Sequence, residues 1–370
     1  MPAITPIVMP KWGLSMKEGT LNRWLVNEGA EIRVGQAIME VETDKITGEV
    51  EASDAGLLRR QIASVGQTLP VKALLGVMAP PEVPDADIDA FVAGYVVPAE
   101  AEEDEGAGPS AYQFVDVGGI RVRYARKGDA ASLVLLIHGF GGDLDNWLFN
   151  IDALSEPSTV VALDLPGHGQ SDRTLPGRRL GELAAFVLRF LDAVEIPRTH
   201  LVGHSLGGAI AAQMALDHPE RVECLALIAS AGLGDEIDTA YTEGFVAAQS
   251  RRDLKPLVER LFARPELVTR QLLDDILKYK RLDGVSELLS ELGGSLFAQG
   301  QQREQPGRRL AETGKRVLVV WGAEDRIIPA THASHAPPSA TIRIIEGAGH
   351  MVQMEKAAEV NAALKRHLLG

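Results

Sequence analysis

The pentapeptide GHSLG, Gly203 to Gly207, fits the pattern G-x-S-x-G, in which a serine occupies a sharp strand-to-helix turn and the glycines permit close backbone approach. A five-residue match arises easily by chance, so its context has to carry the reading. A strand-like run, THLV, leads into Ser205, and a helical stretch of small residues, GGAIAAQMAL, leads out. Ser205 is therefore the candidate nucleophile. A serine hydroxyl needs a base, and the base needs an orienting carboxylate. The chain has nine histidines. His138, His168 and His204 sit beside glycines in turns and read as structural. His350, in EGAGH directly after the last strand-like run, satisfies the chain order serine, acid, histidine that accompanies this motif. Asp325, in WGAEDRIIP, ends the preceding strand at the same sheet edge; Glu324 stays open as an alternative, since either carboxylate can orient an imidazole. Upstream, LIHGFGG (Leu136 to Gly142) ends another strand in a glycine-rich loop, and the amides of Phe140 and Leu206 are the expected oxyanion donors. No metal-ligand set is assigned.

A second reactive residue lies far upstream. In EVETDKITGEV, residues 40 to 50, alternating apolar and polar positions flank a polar knot, and Lys45 falls at what reads as a hairpin tip. By itself such a lysine is a solvated charge that keeps an edge from pairing. Its surroundings say more. Residues 1 to 79 are short apolar runs broken by Gly and Pro, the pattern of an all-β domain. Within them EGAEIRVGQAIMEV (28 to 41) repeats as VGQTLPVKALLGVM (65 to 78), aligning Gly29 with Gly66, Ile32 with Leu69, Val34 with Val71 and Ile38 with Leu75. Two similar half-sheets follow, facing each other in a flattened β-barrel with a pseudo-twofold axis, and ETDK falls at the hairpin joining them. ETDK at that point, with EGAEIRVGQ before it and DAGLL after it, resembles the lipoyl domains of 2-oxo acid dehydrogenase complexes. The resemblance implies lipoate in amide linkage to Lys45. Biotin domains usually carry Met on both sides of the lysine, whereas here the neighbours are Asp44 and Ile46.

These elements sit in a chain of 370 residues, 45% hydrophobic and 24% charged, which allows two separate cores and excludes disorder throughout. The net charge of -14 speaks against a nucleic-acid binder. Nine of the acidic residues lie in residues 81 to 110, which contain no Lys or Arg, so residues 80 to 111 read as an extended, self-repelling linker with one short helix possible in DADIDAFVAGY. From residue 112 onward the runs LVLLIHG, STVVALDLPG, THLVGHS, VECLALIAS, RVLVVWG and TIRIIEG alternate with helical periodicity, the pattern of an α/β fold with a mostly parallel sheet. Residues 233 to 313 interrupt that rhythm as a helical cap. The cap's basic residues Arg251, Arg252, Lys255, Lys278, Lys280 and Arg281 read equally well as a solvated helix face or as a nucleotide-binding patch, so no coenzyme A site is assigned. The single cysteine, Cys224, is expected to be a buried strand residue, and a reducing, cytoplasmic location is expected.

GHSLG, HGFGG and LDLPGHGQSD together resemble the α/β-hydrolase superfamily from about residue 112 to the C-terminus. A lipoyl domain joined to that fold resembles the dihydrolipoamide acetyltransferases of bacterial acetoin dehydrogenase systems. Other lipoate acyltransferases carry an H-x-x-x-D-G motif and a small subunit-binding domain; neither is present here. The resemblance implies transfer of acetyl from the lipoyl arm at Lys45 to coenzyme A, through acetyl-Ser205 with His350 as base. It also implies a thiamine-diphosphate-dependent acetoin dehydrogenase component, dihydrolipoamide dehydrogenase, and a lipoate ligase or lipoyl transferase as partners. Two other classes stay open: a thioesterase, esterase or carbon-carbon hydrolase recruited by its lipoyl domain, and a non-catalytic carrier or scaffold.

Overall fold

The computed structural model describes residues 4–13, 16–44, 46–98 and 112–370. The chain divides into two compact units, Met1–Pro109 and Ser110–Gly370.

The first unit has eight strands, β1 (Thr5–Val8), β2 (Glu18–Trp24), β3 (Glu31–Ile32), β4 (Ala37–Glu42), β5 (Thr47–Glu51), β6 (Gly56–Gln61), β7 (Thr68–Pro70) and β8 (Leu74–Met78). They form two four-stranded sheets of order β1-β8-β6-β3 and β5-β4-β2-β7. The sequence repeat accounts for this pairing. A shift of 37 residues carries β2 onto β6, β3 onto β7 and β4 onto β8, so one sheet is the image of the other. The correspondence extends to single bonds: Gly29 N donates to Leu58 O at 2.7 Å, and Gly66 N donates to Leu21 O at 2.7 Å. Gly29 and Gly66 share a positive φ, 85° and 84°. Leu21, Ile38, Met39 and Val41 of one sheet and Ile7, Leu58 and Leu75 of the other meet in one buried core.

Residues 80–95, where composition predicts an extended tether, are folded onto this barrel. Helix α1 (Asp85–Gly94) buries Ile88 in a cluster with Val77, Ala79 and Val83. The acidic residues there do not simply repel one another: Asp85 pairs with Arg59 at 2.8 Å and with Arg60 at 3.3 Å. Arg59 also donates to the carbonyls of Pro80 and Val83, and Tyr95 Oη donates to Lys72 O at 2.9 Å.

The second unit is built on an eight-stranded sheet of β9 (Tyr112–Asp116), β10 (Arg121–Lys127), β11 (Leu133–Ile137), β12 (Thr159–Leu163), β13 (Thr199–His204), β14 (Val222–Ile228), β17 (Val317–Gly322) and β18 (Thr341–Ile345). Its order is β18-β17-β14-β13-β11-β12-β10-β9, and every pairing from β12 to β18 is parallel. All six expected strand runs are present. The antiparallel pair β9–β10, with polar alternate positions, adds an edge that the apolar-run pattern does not reveal. Helices α2 (Ile151–Ser155), α3 (Leu180–Ala193), α4 (Leu206–Asp217), α9 (Val352–Glu355) and α10 (Ala357–Leu369) complete the sheet domain.

Between β14 and β17 lie α5 (Thr239–Ala247), α6 (Arg251–Val258), α7 (Arg270–Lys280), α8 (Val285–Leu296) and the short hairpin β15 (Phe297–Ala298)–β16 (Gln301–Gln302). These form the cap. Residues 306–313, which fall within the expected cap range, instead pack against α4, with Gly307 N donating to Gly232 O at 2.8 Å. Lys280 is not on a solvated face. It is buried, and its Nζ donates to the carbonyls of Phe245, Val246 and Ala248 at the end of α5, so it satisfies groups that the helix terminus leaves open. Burial lowers its pKa to about 8. No helix among the described residues is long and apolar enough to cross a membrane.

A glutamate-specific protease provides a test of the boundary. The peptide after Glu82 lies between Pro80 and buried Val83, so cutting there requires local unfolding. The first cuts are expected after Glu100, Glu102, Glu103 or Glu105, leaving a barrel fragment that retains residues 80–95. Mass spectrometry of the first product checks this; an initial fragment ending at Glu82 contradicts it.

Candidate active site

The nucleophile turn is imposed by close packing. Ser205 has φ 53° and ψ −119°, a conformation that non-glycine residues rarely adopt, at the junction of β13 and α4. A Cβ at Gly203 would lie 2.3 Å from Gly207 O, and a Cβ at Gly207 would lie 2.1 Å from Ile137 O at the end of β11. Only glycine lets α4 come this close to the strand ends. The bond from Ser205 N to Ile228 O, 3.0 Å, ties the turn to β14.

Parallel strands bring the remaining groups to the same edge. Asp325 follows β17 and His350 follows β18, and His350 Nδ1 donates to Asp325 Oδ2 at 2.8 Å. Both side chains are buried. With Nδ1–H committed to the carboxylate, Nε2 is left as the nitrogen that can accept a proton. Glu324 goes elsewhere: its carboxylate accepts from Gly347 N and Ala348 N, 3.1 and 3.0 Å away, holding the loop that carries His350. Asp325 alone of the two meets the imidazole. The glycine-rich loop after β11 approaches the serine directly, since a Cβ on Gly139 would lie 2.9 Å from Ser205 Cβ. Phe140 follows in that loop. Leu206 is the first residue of α4, where the N–H has no carbonyl one turn back to bond. The two expected donors therefore belong to the loop that approaches the serine and to the helix that begins directly after it.

The sequence did not reveal three supporting residues. Trp321 Nε1 donates to Asp325 Oδ2 at 2.9 Å, the oxygen that also serves His350. Trp321 is fully buried, and its indole N–H is shared with Ile328 O at 3.1 Å, as buried indoles usually find an acceptor; its position four residues before Asp325 was the available signal. The other Asp325 oxygen accepts from Ile327 N and Ile328 N at 2.8 and 3.0 Å. His204 Nε2 donates to His350 O at 3.0 Å, bracing the histidine loop from the nucleophile strand. Glu355 accepts from Gly349 N at 2.6 Å and from Ala263 N at 2.9 Å, so it ties that loop to the base of the cap.

His138, His168 and His204 are buried neutral and serve as braces. His138 donates from Nδ1 to Gly139 O at 2.7 Å and accepts at Nε2 from Leu165 N at 2.9 Å. Burial, with His168 alongside, holds its pKa well below the ordinary value. Burial likewise lowers His204 well below the ordinary value, reinforced by His350, and brings His168 to about 4. Cys224 is buried as expected, and burial raises its thiol to about 11, so it stays protonated. On unfolding, the histidines regain their ordinary proton affinity. At these three positions the unfolded chain binds more protons than the folded chain between about pH 6.5 and pH 4, so their contribution to stability falls as pH falls through that window, whereas Asp164, which burial raises to about 7, contributes with the opposite sign. Between pH 7.5 and pH 5.5 the urea midpoint of the full chain is expected to shift in the destabilising direction relative to that of His168→Gln; the same pH dependence in both proteins contradicts neutral burial of His168.

Two family descriptions match the chain: alpha/beta hydrolase fold over residues 132–357, and biotin-requiring enzyme over residues 5–78. A dihydrolipoyllysine-residue acetyltransferase component of an acetoin cleaving system from Cupriavidus necator is 63% identical over 369 residues, covering 100% of this chain and 98% of that protein. Its counterpart in Pseudomonas putida is 47% identical over 376 residues, covering 99% and 100%. A 2-hydroxy-6-oxononadienedioate/2-hydroxy-6-oxononatrienedioate hydrolase from Paraburkholderia phymatum is 31% identical over 70% of this chain and 95% of its own. Among solved structures, a meta-cleavage product hydrolase from Pseudomonas fluorescens shares the fold, with TM-score 0.63, 24% identity and coverage of 70% and 97%. With full-length similarity to two such components, the chain belongs to the family of dihydrolipoyllysine-residue acetyltransferase components of acetoin cleaving systems.

Proposed function

We propose that this chain moves an acetyl group from a lipoyl thioester to coenzyme A, passing it through Ser205. The observation that carries the reading is the Asp325–His350 pair, closed at 2.8 Å, at the sheet edge that also carries a strained serine, in a chain similar along its whole length to acetyltransferase components. His350 Nε2 takes the Ser205 hydroxyl proton as Oγ attacks the thioester carbonyl. The amides of Phe140 and Leu206 donate to the oxyanion. As the carbon–sulfur bond breaks, His350 returns the proton to the departing sulfur, leaving acetyl-Ser205. The thiol of coenzyme A then loses its proton to His350 and attacks the ester carbonyl; the carbon–oxygen bond breaks and Ser205 Oγ regains the proton. Asp325 stabilises the imidazolium in both halves, and Trp321 fixes the carboxylate.

Lys45 lies outside the described residues. The residues beside it suit an attachment point: Glu42 pairs with Thr47 across β4 and β5, and Thr43 N and Oγ1 both donate to Ile46 O, at 3.0 and 2.9 Å. A lipoyl group bound there supplies a dithiol on a long arm that can carry acyl groups as thioesters. On this reading the partners are the thiamine-diphosphate-dependent component that charges that arm, dihydrolipoamide dehydrogenase, and a lipoate ligase or lipoyl transferase. The hydrolase relatives, at 31% identity, favour a second reading in which water replaces the thiol.

Free S-acetyldihydrolipoamide is the substrate that separates these readings. The protein should form acetyl-coenzyme A from it in excess over free acetate; the reverse ratio favours the hydrolase. Ser205→Ala is expected to lower turnover by on the order of a million-fold, and Ser205→Ala with His350→Ala to be little worse, because the two act as one unit. Near-native transfer by Ser205→Ala removes the acyl-serine route. Lys45→Arg should lose the lipoyl mass in intact-protein spectra while keeping turnover of the free substrate.

Asp325→Asn and Trp321→Phe grade the carboxylate's role. The first is expected to lower kcat about 10⁴-fold by selecting the wrong imidazole tautomer. The second removes one hydrogen bond to a charged group, about 1.5–3 kcal/mol, and should lower kcat by roughly tenfold to a hundredfold. Equal losses in the two variants would show that Trp321 does more than hold Asp325.

A further inference from the structure

The two residues expected to supply the oxyanion donors also present side chains to a wall that the cap supplies. The Phe140 ring meets Phe297 edge-on, with centroids 6.2 Å apart and planes at 87°, and it meets Phe245 at 6.4 Å. Gly293 of α8 closes a third side, since a Cβ there would sit 3.4 Å from Phe140 Cζ. Phe245 lies over the next loop residue: a Cβ on Gly141 would meet its ring at 2.6 Å. Leu206 faces the same wall from the helix side. With Ala209, Ala231, Leu296, Phe297 and the polar Gln302 and Glu304, it lines a small cavity with room for about one water molecule. Phe297 thus stands in both groups, touching the Phe140 cage and bordering the Leu206 cavity.

We infer that Phe297 determines acyl-chain length, ending the acyl pocket after two carbons. The inference rests on the acyl-Ser205 reading. With the acyl oxygen between the amides of Phe140 and Leu206, the acyl carbon chain starts against the side chains of those residues. Growth of the chain by two or four methylenes then runs into Phe297 and the packed residues behind it. Because protein interiors are packed at the density of organic crystals, extra methylenes cannot be absorbed without displacing side chains. Truncating Phe297 joins the space it vacates to the cavity beside Leu206. The Phe297 side chain donates no hydrogen bond and carries no charge, so it acts through shape alone.

The test uses the full-length chain and p-nitrophenyl acetate, butyrate and hexanoate, with Ser205→Ala as the blank. Wild type is expected to lose at least tenfold in kcat/KM from acetate to butyrate, in keeping with the leverage of one or two methylenes in a tight pocket. Phe297→Ala should raise the butyrate-to-acetate ratio by threefold or more, with about tenfold expected, and hexanoate should gain further. Phe297→Leu, which keeps an apolar side chain and protects against misfolding, should fall between the two. The ratio within one preparation does not depend on the fraction folded. A parent that takes butyrate as readily as acetate overturns the inference, as does a Phe297→Ala ratio that moves less than threefold. Turnover that survives in the Ser205→Ala blank removes the acyl-serine reading, and this inference with it.

Discussion

The hydrolase unit depends on holding one serine in a backbone conformation that its own side chain disfavours. A non-glycine residue at φ 53° costs on the order of 1–3 kcal/mol and persists only where its surroundings over-determine it. Here they do. Ser205 N donates to Ile228 O, and Ser205 O accepts from Gly208 N and Ala231 N at 2.9 and 3.0 Å. The turn is therefore gripped by β14 on one side and the first turn of α4 on the other. That grip requires Gly203 and Gly207, because any side chain at either position would meet backbone at about 2 Å. Placing the serine this way also selects where its partners can come from. In a parallel sheet, the loops leaving β11, β17 and β18 emerge at the same edge, and these deliver Phe140, Asp325 and His350.

The sequence exposes this arrangement because each of these residues follows a strand-like run and sits in a short, recognisable loop. It leaves other parts hidden for physical reasons. Glu324 and Asp325 are adjacent, and nothing in a linear pattern says which one faces the imidazole; backbone geometry decides, turning Glu324 toward the amides of Gly347 and Ala348. Lys280 looks like surface charge in a helix rich in Lys and Arg, yet the open carbonyls at the end of α5 draw it inside. In the acidic stretch after residue 80, composition predicts self-repulsion, but it carries no information about Arg59 and Arg60 on β6, which neutralise Asp85 and let α1 dock. The two half-sheets of the barrel were legible because the duplication writes three of the strands twice. Even there the repeat is imperfect: Gly35, at φ 78°, corresponds to Lys72, at φ 67°, so the second copy keeps the backbone shape without the residue that makes it easy.

Around the serine, buried polar groups are used to fix loops rather than to react. His138 joins the loops after β11 and β12, and His204 joins the nucleophile strand to the backbone of His350. Burial keeps both uncharged, so each offers one donor and one lone pair in a set direction. Glu355 extends the same logic to the cap. It accepts from Gly349 in the histidine loop and from Ala263 and Arg264 at the cap base. Moving that part of the cap without breaking these bonds would carry the histidine loop along.

That coupling bears on how one fold could serve transfer rather than hydrolysis. A serine, an imidazole and a carboxylate deacylate with water as readily as with a thiol unless water is kept from the ester. The residues that could exclude it here come from the cap. Phe245 of α5 and Phe297 of β15 enclose the ring of Phe140, and Ser205 and His350 are left only 8% and 3% exposed. On the acyl-Ser205 reading, the groups that activate a nucleophile are held by the sheet, whereas the packing that would shape the acyl pocket is held by the insertion. On this reading, selectivity can change in the cap without altering the strand ends, and the same sheet can support the hydrolases to which this chain is similar.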